Sequence, residues 1–259
     1  MGTGGLSRVA AVAANTFRET VRERVFYNLL IFAVLMTLSG LLMARLSIRQ
    51  QDKIIKDLGL ACIDVFGIVI AIFIGVGLVA KELERRSLHP LLAKPLTRDE
   101  FFLGKFAGLG MTLLVNVAVM TAGLYLTLWT VESRPDPRML KGIYALYLGL
   151  LLIVSLALLL STLTSTTMAA LVTLCLVVAG RFSDVIRNMR VVAPAVPDWL
   201  VQALYYAIPN FRNFDFKDRI AYGDPVPLAA LGWVTLYAAV YIGIVLGVGA
   251  RVFRSKDLV

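Results

Sequence analysis

The chain has 259 residues, 59% of them hydrophobic, with a mean hydropathy of +0.80 and a formal net charge of +9. A soluble domain is about 45–50% apolar; here the excess is gathered into blocks long enough to cross a hydrocarbon core about 30 Å thick, which takes roughly 20 helical residues. This excludes a water-soluble protein, leaves loops too short for a separate catalytic domain, and assigns the positive charge to lipid headgroups rather than nucleic acid.

In chain order, residues 6–25 read as an amphipathic helix. Leu6, Val9, Ala10, Ala13, Phe17 and Val21 fall on one face, and Arg8, Asn15, Arg18, Glu19 and Arg22 on the other. Such a helix lies in the membrane interface with its arginines, Arg24 among them, at the headgroups; the alternative is a helix packed on a partner protein. It does not read as a cleaved signal peptide, since no short apolar region with a small-residue cleavage site follows early enough. Apolar spans are predicted at about 26–45, 58–80, 107–130, 143–163, 167–184 and 228–250. The fifth is short, and its flanking threonines can hydrogen-bond back to the helix. The segment 185–227 carries prolines and aromatics, and a basic tail closes the chain. With six spans both termini share a side. Basic residues divide evenly between the two sides, so charge bias does not orient the protein.

Chemistry is sparse. One histidine, His89, cannot build a His-rich metal site. Cys62 and Cys175 lie inside apolar blocks and read as small hydrophobes. Glu82 and Glu84 are two apart, so they do not share a helix face, and they sit among basic residues at a membrane edge. Gly104-Lys105 lacks the rest of a phosphate-binding loop. No catalytic residue, metal site or cofactor of this chain's own is therefore expected. Asp64 is the one charge well inside a clear span. It lies roughly 25 Å along a helix from Lys81, near the far interface, which suits a solvated or cavity-edge carboxylate better than a proton relay. Asn116 reads as helix–helix glue or a pathway residue. The pairs Gly104/Gly108 and Gly243/Gly247, with Gly75, Gly77 and Gly249, allow close helix approach within one chain or across a dimer.

The most distinctive stretch is KELERRSLHPLLAKPLTRDEFFLGKFAG, residues 81–108. Charged clusters flank a short apolar core, Leu88 to Leu92, broken by Pro90 and Pro95. Thr97 and Glu100 have the spacing of a capping box, which predicts a new helix from Arg98 running through Gly104 into the third span. A short, part-apolar helix outside the bilayer is a docking element.

That stretch, with NTFRETVRERVFYNLL before the first span and QQDKIIKDLGLA between the first two, resembles the membrane subunits of ABC transporters of the type-2 exporter class. It looks closest to the permeases grouped with multi-copper-enzyme maturation systems. The resemblance implies a single all-α integral membrane domain over 1–259. It would comprise six transmembrane helices, an N-terminal interfacial connecting helix at 6–25, a coupling-helix loop at 81–106, and an extracytoplasmic segment at 185–227 with short re-entrant helices before the last span. Glu82, Glu84, Arg85 and Arg86 would fix the coupling helix, Leu88, Leu91 and Leu92 would contact a separate ATPase subunit, and Pro90, Pro95, Arg98 and Lys105 would shape the loop. Phe17, Arg18, Arg22 and Arg24 would belong to the interfacial helix. ATP and magnesium would sit on the partner ATPase. A second permease, identical or not, would complete the unit, in contact with membrane lipids. The resemblance also places the chain in a bacterial inner membrane with a cytoplasmic N-terminus. A subunit that drives a periplasmic accessory protein without moving a solute is the competing function.

Overall fold

The computed structural model describes residues 3–22, 31, 32, 34, 35, 51–85, 97–131, 136–183, 197, 199, 202, 205, 208–221 and 224–255. Among these there is no strand. The elements are α1 (Thr3–Arg22), α2 (Gln51–Arg85), α3 (Arg98–Val131), α4 (Arg138–Leu163), α5 (Thr166–Arg181), a 3-10 turn (Phe211–Phe214), α6 (Lys217–Ala221) and α7 (Leu228–Ser255).

Four of these are long and apolar enough to cross a membrane: Ile55–Gly77 in α2, Asp99–Trp129 in α3, Arg138–Leu163 in α4 and Leu228–Phe253 in α7. They match the second, third, fourth and sixth expected spans. The first, 26–45, falls outside the described residues apart from four helical positions around Phe32. The fifth is α5, whose 16 residues reach roughly 24 Å, short of a full crossing.

The sequence of α4 is apolar around its whole circumference, as suits a helix buried on every side. α2, α3, α5, α6 and α7 all pack on it. Leu152, Val154, Ala157 and Leu158 are fully buried. Pro137 presets the backbone at its start, and the Asp136 carboxylate accepts the Arg138 amide at 2.9 Å. At its end Thr164 and Ser165 are extended, and α5 begins at once, so the two helices are antiparallel neighbours. Because α5 is shorter, it stops roughly 15 Å below the level at which α4 starts. The 3-10 turn and α6 fill that space: Phe214 lies against Gly149, and Ile220 against Gly142.

Polar side chains in the spans bond back to their own helices. Thr112, Thr121, Thr127, Ser155, Ser161 and Thr173 each donate to a carbonyl three or four residues earlier. Asn116 does likewise, through Nδ2 to the Thr112 carbonyl at 2.8 Å, rather than bridging to a neighbouring helix.

Small residues set the α2–α4 distance. A Cβ built on Gly75 would meet the Ala157 Cβ at 2.6 Å and the Val154 carbonyl oxygen at 3.4 Å. A leucine at 75 must push the helices apart, and overpacking of this kind costs about 1–3 kcal/mol. Gly75→Leu should therefore lower the thermal unfolding midpoint of the purified chain in detergent, while Gly77→Leu, which meets open space, should leave it unchanged.

Candidate functional site

The chemistry-bearing residues gather at two places, far apart along the bundle. The first begins where α3 starts. The Glu100 amide donates to Thr97 Oγ1 at 3.3 Å, and the Thr97 amide donates to Glu100 Oε2 at 3.1 Å. This is the capping box that the spacing predicts. The other carboxylate oxygen of Glu100 faces Arg8 of α1 at 3.5 Å. One side chain thus closes the end of α3 and ties α1 to it.

α1 runs lengthwise along α3. Gly5 lies beside Glu100, Val9 and Val12 beside Gly104, and Ala13 and Thr16 beside Gly108. The contacts advance together, so the two helices are parallel. Phe32, farther along the chain, keeps the register beside Gly123. The Gly104/Gly108 pair therefore serves packing within the chain: a Cβ on Gly108 would come within 2.6 Å of the Ala13 carbonyl oxygen. The face of α1 that α3 covers is turned from the expected apolar face, which it shares only in part. Ala13, Thr16 and Thr20 are buried and Val9 and Val12 half-buried, whereas Ala10 is exposed; Phe17 is half-buried and Arg18 exposed. The side chain of Arg22, and Arg24 as a whole, lie outside the described residues. A face with bare backbone at two glycines offers α1 closer contact than lipid does.

α7 joins the same place. Phe253 stacks on Phe101 and Phe102, with ring centroids 6.1 and 6.2 Å away, and Gly249 lies against the Phe102 ring. Lys105 is buried, its ammonium 4.7 Å from the Phe101 ring centre. The start of α1, the start of α3 and the end of α7 therefore share one side of the bundle. Gly243 and Gly247 meet open space.

The loop predicted over 81–106 is narrower than expected. α2 stays helical through Arg85 and α3 begins at Arg98, because KELER is made of helix formers and the first proline comes only at 90. Glu82, Glu84 and Arg85 lie in the last turn of α2, and Arg98 opens α3; their side chains are outside the described residues. So are Arg86, Leu88, Pro90, Leu91, Leu92 and Pro95.

The second place is Asp64. Rather than a solvated carboxylate, it is a sealed one, with its side chain 3% exposed. Arg181 Nη2, at the end of α5, donates to Oδ1 at 2.6 Å, and Lys217 Nζ, at the start of α6, donates to Oδ2 at 2.7 Å. Asp215 completes the group, 3.5 Å from Lys217 and 4.0 Å from Arg181. Two acids and two bases leave no formal charge. The cluster edges a cavity of about 10 Å³, lined also by Gly149, Phe211 and Phe214, room for about one water and no solute. The irregular backbone beside it is held by Tyr237, whose hydroxyl accepts the Asn210 amide at 2.9 Å, and by Ser183, which donates to Asn210 Oδ1 at 2.9 Å.

Sequence reasoning located Asp64, Lys105 and Asn116 but missed Arg181, Lys217 and Asp215. A buried acid requires a cation, yet the partners lie 117 and 153 residues away, and spacing does not announce pairs so distant. Residues 10–183 match the family described as ABC-2 family transporter protein, a stretch that takes in Glu100, Asp64 and Arg181. Among curated proteins nothing matches the chain.

Removing one partner from a buried ion group leaves charge uncompensated, at about 3–5 kcal/mol. Asp64→Ala leaves Arg181 and Lys217 to share Asp215 and should cost up to that much, since both cations are partly exposed; Lys217→Met keeps the 2.6 Å Arg181–Asp64 pair and should cost less. Thermal unfolding in detergent ranks them, and equal midpoints would refute the cluster's structural weight. Nearer the start of α3, Glu100→Ala leaves the Thr97 hydroxyl on its amide but removes the acceptor of the Thr97 amide, and should weaken the first turn of α3 by about 0.5–1 kcal/mol. Glu100→Gln keeps the cap and loses only the exposed ion pair, worth about 0–1 kcal/mol. Hydrogen exchange of the amides near Phe101 separates the two.

Proposed function

Because the chain belongs to the ABC-2 family of transporter proteins, it is the permease subunit of an ABC transporter, and we propose that it couples ATP hydrolysis on a separate ATPase subunit to export across a bacterial inner membrane. The observation that carries the coupling is the joint at Glu100. It stands directly after 86–97, the connection that would dock in a cleft of the ATPase, and it fastens α1, α3 and α7 together. A displacement of that connection moves three helices as one body. It also moves α2, which is continuous from Arg85 back to Asp64, so both ends of the connection lead into long helices.

ATP and magnesium would bind the partner. The nucleotide drives the cycle only if the closed ATPase dimer prefers one arrangement of the coupling segments over the other. Orientation follows from the partner: the ATPase is cytoplasmic, and the starts of α1 and α3 and the end of α7 share its side. With the segment around Phe32 counted as the first crossing and α5 as the fifth, the topology is six spans. The 3-10 turn and α6 would then be the short elements dipping back from outside. The exposed apolar face of α5, Met168, Leu171 and Leu174, suits contact with a second permease, identical or homologous.

A second reading rests on the sealed interior. The core of α4 is apolar, and the Asp64 cluster admits nothing larger than water. A mechanotransmitting subunit that works on a periplasmic partner, such as an enzyme-maturation factor, needs no path through its own bundle. A pair of permeases that exports a solute would form the path between them.

The double variant Leu91→Asp with Leu92→Asp should abolish ATPase stimulation by the permease and leave membrane insertion intact. Normal stimulation in that variant would overturn the assignment of the coupling segment.

A further inference from the structure

Between α3 and α4 runs a groove of about 410 Å³, within the roughly 300–1,000 Å³ range of ligand sites. Leu114, Ala118, Ala122 and Tyr125 form one wall, and Leu140 and Tyr144 stand on the other. It opens sideways: Leu114 is 50% and Leu140 54% exposed.

Every hydroxyl in its walls is spent inside the protein. Tyr125 donates to the Asp136 carbonyl at 2.9 Å, Tyr147 to the Gly110 carbonyl at 3.1 Å, and Thr121 to the Val117 carbonyl at 2.7 Å. Tyr144 shares a hydrogen bond with Thr235 of α7 at 3.0 Å. The occupant therefore meets only carbon and needs no polar group along the groove.

Depth and length narrow the occupant further. Trp129 and Trp233, 71% and 72% exposed, lie within about one turn of Tyr125 and Thr235, toward the bundle end where α4 begins. Tryptophans in that position mark the headgroup level. From Tyr125 to Leu114 the groove descends roughly 16 Å, about half of a 30 Å hydrocarbon core. It spans one leaflet. Its volume spread over that length gives a cross-section far below that of a helix about 10 Å across, which disfavours a second copy of the chain. At the mouth, Arg138 and Lys141 flank Leu140 in the first turn of α4, where an anionic headgroup finds complementary charge.

We propose that this groove holds one acyl chain of an anionic phospholipid from the leaflet at the α4 N-terminal end, with Arg138 and Lys141 on its headgroup. The site is separate from both the Glu100 joint and the Asp64 cluster.

The test uses the full chain reconstituted in phosphatidylcholine bilayers with a minority of phosphatidylglycerol. Either lipid carries a diazirine at the end of an acyl chain, and adducts are mapped by mass spectrometry. Wild type should be labelled on the groove walls, with phosphatidylglycerol preferred by about fivefold for each basic residue engaged. Ala118→Trp with Ala122→Trp fills open space and should remove that labelling. Arg138→Gln with Lys141→Gln should keep the labelling and level the two lipids. Displacement of the wild-type label by unlabelled phosphatidylglycerol, and not by phosphatidylcholine, keeps the test decisive if the tryptophan pair misfolds. Unchanged labelling in a folded tryptophan pair, equal labelling by the two lipids in wild type, or chain-to-chain adducts at the groove in place of lipid would each overturn the proposal.

Discussion

Inside a bilayer no water is available to a polar group, so each must find its partner within the protein. In this chain that requirement governs choices far apart in the sequence. Threonines and serines of the spans turn back onto their own helices instead of reaching across. The tyrosines beside the α3–α4 groove spend their hydroxyls on carbonyls and on Thr235. Asp64, the charge held within a span, draws a cation from α5 and another from α6. Where the backbone leaves helical geometry near Asn210, Ser183 and Tyr237 supply the hydrogen bonds a helix would have made.

The same requirement explains the tolerance of a short α5. A helix that stops well below the surface would expose its last carbonyls and its terminal arginine to hydrocarbon. Here the 3-10 turn packs on the end of α5, Phe211 lies against Gly180, and Asp64 neutralises Arg181. The ion cluster thus seals the end of α5, a shorter apolar helix than its neighbours. Its worth lies less in the attraction of the pairs than in the cost of leaving any member alone.

Helix contact is the second theme. Lipid chains are as apolar as leucine, so helices gain little by burying apolar surface against each other and associate where small residues permit close approach. Gly104 and Gly108 bring α1 against α3, and Gly75 brings α2 against α4. At the end of the bundle where α1 begins, this close contact and the carboxylate of Glu100 tie α1 to α3, and Phe253 brings α7 to the same place. Farther along the bundle α2 carries Asp64. The two charged assemblies are thus set far apart along the bundle, one at the start of α3 and one inside α2.

The sequence by itself determined that the chain is a membrane protein, where four of its spans lie, that Thr97 and Glu100 begin α3, and to which class of transporter subunit it belongs. Those features are local: an apolar block, a cap spaced by three residues and a motif within thirty positions are all written along the chain. The tertiary structure alone decided that α1 lies along α3, that Gly104 and Gly108 serve packing within the chain, and that Asp64 is sealed by Arg181 and Lys217. Each of these depends on which helix becomes the neighbour of which. Amphipathic periodicity tells that a face will be covered; it does not distinguish a lipid tail from a glycine-lined helix. A lone buried acid tells that a cation must come; only the packing of α5 and α6 around α4 brings one within hydrogen-bonding distance.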